Sequence, residues 1–223
     1  MGEEAKNRRH RTTALLDKYG IKHTDFLPLI ETEDEVVLKD EETIIKRFIA
    51  TMCSIQVACS IRDNYSIEES KEFFGQMLTK YGLSLEDVTN REKVVWDGTN
   101  SEQDILDVGW RYEAIYLLFW ALGFVDELEF PSNICDVTLM FQLMKDNPTF
   151  GELVEKAKLR SKVELLDMAD YIYCLRWASV DAYVNEQPQP ADMSYSVLVE
   201  RHRAINWLTL KEELDFDTVA LDT

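Results

Sequence analysis

The sequence predicts an all-α protein, a helical bundle built around one buried central helix at about 101–123. Three observations predict it. Residues 114–122 (AIYLLFWAL) carry no charge, and a helix apolar on every side must be wrapped by other segments. Elsewhere apolar residues recur at three- and four-residue spacing, as on one face of a helix. Helix boundary signals punctuate the chain: Ser66-Ile67-Glu68-Glu69 and Ser161-Lys162-Val163-Glu164 are capping boxes, and Gly20 and Gly82 fall where helices stop.

The elements follow in order. A basic helix over about 6–19, carrying Arg8, Arg9 and Arg11, reads as a solvated terminal helix closed by Gly20. Residues 21–39 read as a surface loop broken by Pro28. Asp40, Glu41 and Glu42 suit the positive end of the next helix, which runs to about 62 with Ile44, Phe48, Ile55 and Cys59 on one stripe and Arg47 beside it. A third helix spans about 66–82, and a short helical turn is expected at 84–89. Residues 90–100 end in the turn signal Asp97-Gly98. The pattern allows one exception to the all-α class, a two-stranded β element pairing 36–38 (VVL) with 94–96 (VVW). After the central helix, Pro131 opens a helix to about 145, ended by Asn147-Pro148. A long helix occupies about 161–184. The segment 187–192 (QPQPAD) is a stiff loop, and the last helix, about 194–210, leads into an acidic, irregular tail at 211–223.

With 223 residues, 46% of them hydrophobic and 11% aromatic, the chain can bury a sizeable core. It is read as a single helical domain over 1–223. A formal charge of −18 argues against nucleic acid or an anionic membrane as partner and leaves solubility or a basic protein partner. Cys53, Cys59, Cys135 and Cys174 show neither CxxC nor metal-ligand spacing, which fits a reduced compartment. The start lacks an apolar signal core, and the longest apolar run, 114–125, is too short to cross a bilayer. The expectation is a cytoplasmic protein.

Several helices place polar groups on apolar stripes. Glu113 lies between Trp110 and Leu117, and Arg111 sits one turn after Asp107. Asp170 lines up with Leu166, Tyr173 and Trp177. His202 lies between Leu198 and Ile205, with Asn206 one turn on, while Glu200 and Arg203 share another face. Buried charge is costly unless paired, so these groups either lock the helices in register or line a site. No P-loop, GxGxxG, GxSxG or HExxH is present, and no cofactor is implied. Glu164, Asp167 and Asp170 resemble part of a Mg²⁺-binding array, but they spread too far around the helix for one ion; no metal is expected. Cys174 with His202 could form a nucleophile pair, although a buried, inert thiol is the default.

WRYEA at 110–114, WALG at 120–123, ELLDMAD at 164–170, ERHRAINWL at 200–208 and DFDTVALDT at 215–223 together resemble one family, the bacterial domain of unknown function 4272. The resemblance covers the second half closely and the first more loosely, through Gly20-Ile21, Leu27-Pro28 and Arg47. It implies a helical domain filling most of the chain and no established activity. Three positions depart from the family pattern. Cys174 stands where Arg is common, so Asp170 needs another partner, with Arg176 or Arg201 as candidates. Phe216 replaces Trp, and Leu221 replaces Thr.

The candidate polar cluster is therefore Arg111, Glu113, Asp170, Glu200, Arg201, His202 and Asn206. Its expected junction joins Glu113 to Arg201 or His202, with Asp170 nearby. The alternative is local pairing, Arg111 with Asp107 and Glu200 with Arg203. Two function classes fit. One is a non-enzymatic regulatory or interaction domain, its acidic surface meeting a basic partner in the manner of a toxin-neutralising (immunity-like) protein. The other is a hydrolase or nucleotide-handling enzyme using a buried acid–His–Arg cluster.

Overall fold

A computed structural model describes residues 2–210 and 215–223. Among the described residues the regular structure is nine α-helices and one short 3-10 turn at Pro190–Asp192. The helices are α1 (Glu3–Lys18), α2 (Glu41–Arg62), α3 (Ile67–Lys80), α4 (Asn90–Asp97), α5 (Glu102–Ala121), α6 (Thr138–Asp146), α7 (Phe150–Lys156), α8 (Lys162–Val184) and α9 (Tyr195–Thr209).

Side-chain caps set most of the starts. Asp40, Ser66, Thr89, Ser101, Thr149 and Ser161 each accept a bond from the third amide of their helix, satisfying a donor the helix leaves free. At the end of α5, Gly123 takes φ 73° and packs so tightly that a Cβ would sit 2.8 Å from the Lys158 carbonyl. The chain returning there closes the helix. Lys158 and Arg160 donate their amides to the Leu122 and Ala121 carbonyls, and the Arg160 side chain donates to Trp120 O at 3.0 Å while lying over the Trp120 ring.

The packing runs in one sequence: α3 on α2, α2 on α5, α5 on α9, α9 on α8 and α8 on α1, with α4 wedged between α2 and α5. The second half of α5 is enclosed as its sequence requires, Leu117 and Leu118 having no exposed surface and Phe119 and Trp120 almost none. The long helix α8 reaches this centre through α9. A second, smaller apolar cluster, with Leu16, Ile21, Leu27, Cys174 and Leu198, seals α1 to α8 and α9. Among the described residues one helix, α2, is long and apolar enough to cross a membrane, and two thirds of its most apolar window is buried inside the protein.

Four expectations change. Residues 94–96 lie inside α4, so the proposed strand pair does not form, and no strand occurs among the described residues. Val94, Val95 and Trp96 have strand propensity, but the capping box of Thr89 with Glu92 starts a helix ahead of them. Residues 84–88 form turns, and the helix expected from Pro131 begins only at Thr138, after a turn. The short helix α7 has no counterpart in the sequence reading. Finally, α1 is not a solvated helix: Arg8 and Arg9 are buried. Of the tail, 211–214 lies outside the described residues; 215–223 is irregular as expected, yet it buries Phe216 and Val219 in the main core.

Candidate functional site

The seven polar residues marked in the sequence are all but Asn206 buried, and the structure divides them among separate networks. The densest surrounds Arg111. Its Nη1 donates to Glu92 Oε1 at 2.7 Å and to Thr89 Oγ1 at 3.0 Å, and its Nη2 donates to Asp217 Oδ1 at 2.5 Å. Glu92 has no exposed surface. It also accepts from Thr51 Oγ1 and Arg47 Nη1, and from the Thr89 amide. Phe216 packs beneath both guanidinium groups, 5.6 Å from Arg47 and 5.7 Å from Arg111. Burial works against the charge on Arg111, but Glu92 and Asp217 outweigh it and raise its pKa above the ordinary guanidinium. Burial likewise opposes the charge on Asp217, and Arg111 overcomes it, so that carboxyl lies below its usual value. The Arg111–Asp107 pair does not form; Asp107 accepts from Gln103 instead. This network ties α2, α4, α5 and the C-terminal segment together through four charged side chains.

The expected interhelical bond of Glu113 is present. Its Oε2 accepts from Arg201 Nε and Nη2, each at 3.1 Å, and its Oε1 accepts the Cys135 amide at 2.6 Å. Arg201 also donates to Glu129 O. Asp170 does not join this junction. Its partner is neither Arg176 nor Arg201 but Arg9 of α1, whose Nε lies 3.1 Å from both carboxylate oxygens and whose Nη2 lies 2.8 Å from Oδ1. Arg9 also donates to the carbonyls of Leu27 and Pro28. Arg11 and Arg8 meet Asp167, and Glu164 caps Ser161 and accepts from Arg160. The acids at 164, 167 and 170 thus point to three different sets of donors.

In α9, Glu200 pairs locally with Arg203 at 3.2 Å. Burial raises the Glu200 carboxyl above its usual value against the opposing pull of Arg203. His202 bonds Asn206 at 3.0 Å, and burial, with Arg176 and Arg203 nearby, lowers its pKa to about 3. Cys174 lies in the smaller core, its thiol pushed up to about 12 by burial and by Asp170. A thiol so held is a poor nucleophile.

Concavities open on several faces of the described residues, and three of them adjoin α5 or α6. A cleft of about 520 Å³ between α4, α5 and α9 is walled by Asp107, Trp110, Tyr195, Glu200 and Arg203, with Arg111 at its base. A groove of about 280 Å³ lies across α5 from it, lined by Cys59, Ile105, Leu106, Trp110, Ile134 and Val137. A third, of about 490 Å³, separates α3 from α6 and is lined by Met52, Phe73, Met77, Phe141 and Met144.

Sequence reasoning missed Glu92, Asp217 and the role of Arg9. A signal existed for the first, the Thr89-x-x-Glu92 spacing that opens α4. Nothing local marked the others, since their partners are more than a hundred residues away.

The fold and these networks define a class: an all-helical protein whose core charges are used to join helices. The chain belongs to the family described as domain of unknown function (DUF4272), whose model matches residues 8–219. No curated protein and no solved structure matches it.

Proposed function

We propose that the protein is a binding module that docks a basic segment with apolar anchors, carried by a partner protein, in the groove beside the first half of α5. The observation that carries this reading is an unpartnered apolar face with acidic neighbours. Leu106 is 51% exposed, Ile134 71% and Trp110 37%, and together they rim the groove. Asp107 and Asp136 flank them in the chain, both on the surface, and the one cation lining the groove, Arg62, is already paired with Asp63. Apolar surface of this kind, rimmed by charge, suits a partner, and the −18 charge of the chain favours a basic one. A toxin-neutralising role is one biological form such binding takes. Against the hydrolase or nucleotide-handling alternative, the acids it would need are already bonded: Glu113 to Arg201 and an amide, Asp170 to Arg9.

The test is fluorescence anisotropy with a labelled peptide alternating lysine and leucine. Binding is expected, weakening as salt rises and lost in Leu106→Asp and Ile134→Asp. Those variants should change stability by less than about 0.5 kcal/mol, as exposed substitutions do. Binding unaffected by either substitution would refute the groove, and absence of binding at low salt would refute the partner chemistry.

A further inference from the structure

We infer that the seam between α8 and α9 holds a small oxyanion, a carboxylate or phosphate group, between Arg176 and His202. Six arginines are buried among the described residues: Arg8, Arg9, Arg111, Arg176, Arg201 and Arg203. Five of them face a carboxylate within 4 Å. Arg176 is the exception. It is 5% exposed, and its Nε and Nη1 are buried without a hydrogen-bond partner. The ring of Tyr195 lies 4.6 Å from its guanidinium carbon and holds the guanidinium plane but accepts none of its hydrogens well. A buried cation without an acceptor is a position that natural cores avoid.

His202 adds a second donor to the same seam. Asn206 Nδ2 donates to the Ala220 carbonyl at 2.9 Å. A carbonyl only accepts, so the amide nitrogen is placed there, and its other hydrogen meets His202 Nε2 at 3.0 Å. Nε2 must therefore accept, and the ring proton sits on Nδ1. Nδ1 is buried and has no partner either. Arg176 and Arg203 are the cations that act on this ring, and Tyr173 of α8 lies against it at 6.1 Å. Arg203 is already paired with Glu200. Among the described tail residues, Asp222 acts on Tyr173 and bonds neither donor.

The donors thus come from adjacent helices, and what complements them is an acceptor with negative charge. Ser194 supplies no side-chain cap to the first turn of α9, and Tyr195 of that turn is the residue that lies against Arg176. Tyr195, exposed over Arg176, also forms the wall of the 520 Å³ cleft with Val199 and Arg203, so the approach we infer is from that cleft, past the Tyr195 ring. This site is separate from the groove beside α5, so its test does not depend on that reading.

The experiment follows the histidine signals of isotope-labelled protein, and its melting temperature, during titration with sodium phosphate, sodium acetate or sodium chloride at matched ionic strength. A phosphate or carboxylate ligand should shift the His202 Nδ1 and Cε1 resonances saturably. It should also raise the melting temperature with the logarithm of its concentration, while chloride does neither. A response to phosphate alone assigns a phosphate group, and a response to acetate alone a carboxylate. Arg176→Met should abolish the response without lowering the ligand-free melting temperature, because it removes an unpaired buried charge; Arg176→Lys should keep part of it. The proposal fails if neither anion moves the His202 resonances of the folded wild-type protein. It fails equally if Arg176→Met responds as the wild type does.

Discussion

Arg111 and Arg176 lie at the same depth in one protein, on helices that both pack against α9, and their surroundings could hardly differ more. Arg111 meets two carboxylates and a hydroxyl, and its main partner Glu92 accepts from two further side chains. Arg176 meets an aromatic ring. The first arrangement is nearly closed: two carboxylates answer two guanidinium groups across four segments, and Arg47 Nε is the one buried donor in it without a partner. The second is open on the donor side. Buried polarity in this molecule therefore has two uses, and the count of acceptors tells them apart better than burial or charge does. A saturated network sets helix register, whereas leftover donors point outward to something the chain does not supply.

The largest effect expected from this contrast is at Glu92. Its removal in Glu92→Ala leaves Arg111 with Asp217 alone and Arg47 with no carboxylate, and urea unfolding should show a loss of about 3–5 kcal/mol. If Arg176→Met costs as much, the two arginines are equivalent and the distinction collapses. Glu113→Gln comes next. The amide can still accept one bond but leaves the Arg201 charge unneutralised, so a loss of about 1–3 kcal/mol is expected, smaller than for Glu113→Leu, which abandons Arg201 and the Cys135 amide together.

The third prediction is one of pH. His202 has a folded pKa lowered to about 3 by burial and then by Arg176 and Arg203, against about 6.5 in an unfolded chain. Its neutral form is the one the fold accommodates, so the associated stability is complete above about pH 6.5 and is lost as pH falls toward 3. Between pH 6.5 and 5 the unfolded state binds the extra proton, at up to about 1.4 kcal/mol per pH unit. The wild type minus His202→Gln difference in unfolding free energy should carry this slope. A flat difference would mean that His202 accepts a proton in place, and the seam would then not be the dry, cationic pocket described. Asp217 works in the lower range: its folded pKa is depressed despite burial, by Arg111, so its contribution is present above the unfolded carboxyl pKa and is lost as pH falls through the folded one.

What the sequence determined by itself is whatever neighbouring residues decide. The uncharged run at 114–122 demanded enclosure wherever it came to lie, and the serine caps at 66 and 161 began helices from within three residues. The Glu200–Arg203 and His202–Asn206 bonds follow from spacing along one helix. Glu113 could be matched to Arg201 because both interrupt apolar stripes that had to meet. Tertiary structure alone decided the remaining partners. Arg9 and Asp170 are 161 positions apart and Arg111 and Asp217 are 106 apart, and any of 24 Lys and Arg could have answered any of 42 Asp and Glu. Residues 94–96 read as a strand from their β-branched and aromatic side chains, but a capped helix start and a place between α2 and α5 overrode that preference. Local chemistry acts over one or two turns of backbone, whereas charge pairing depends on which surfaces hydrophobic packing brings together. For that reason the helices were legible before the structure, and the network that joins them was not.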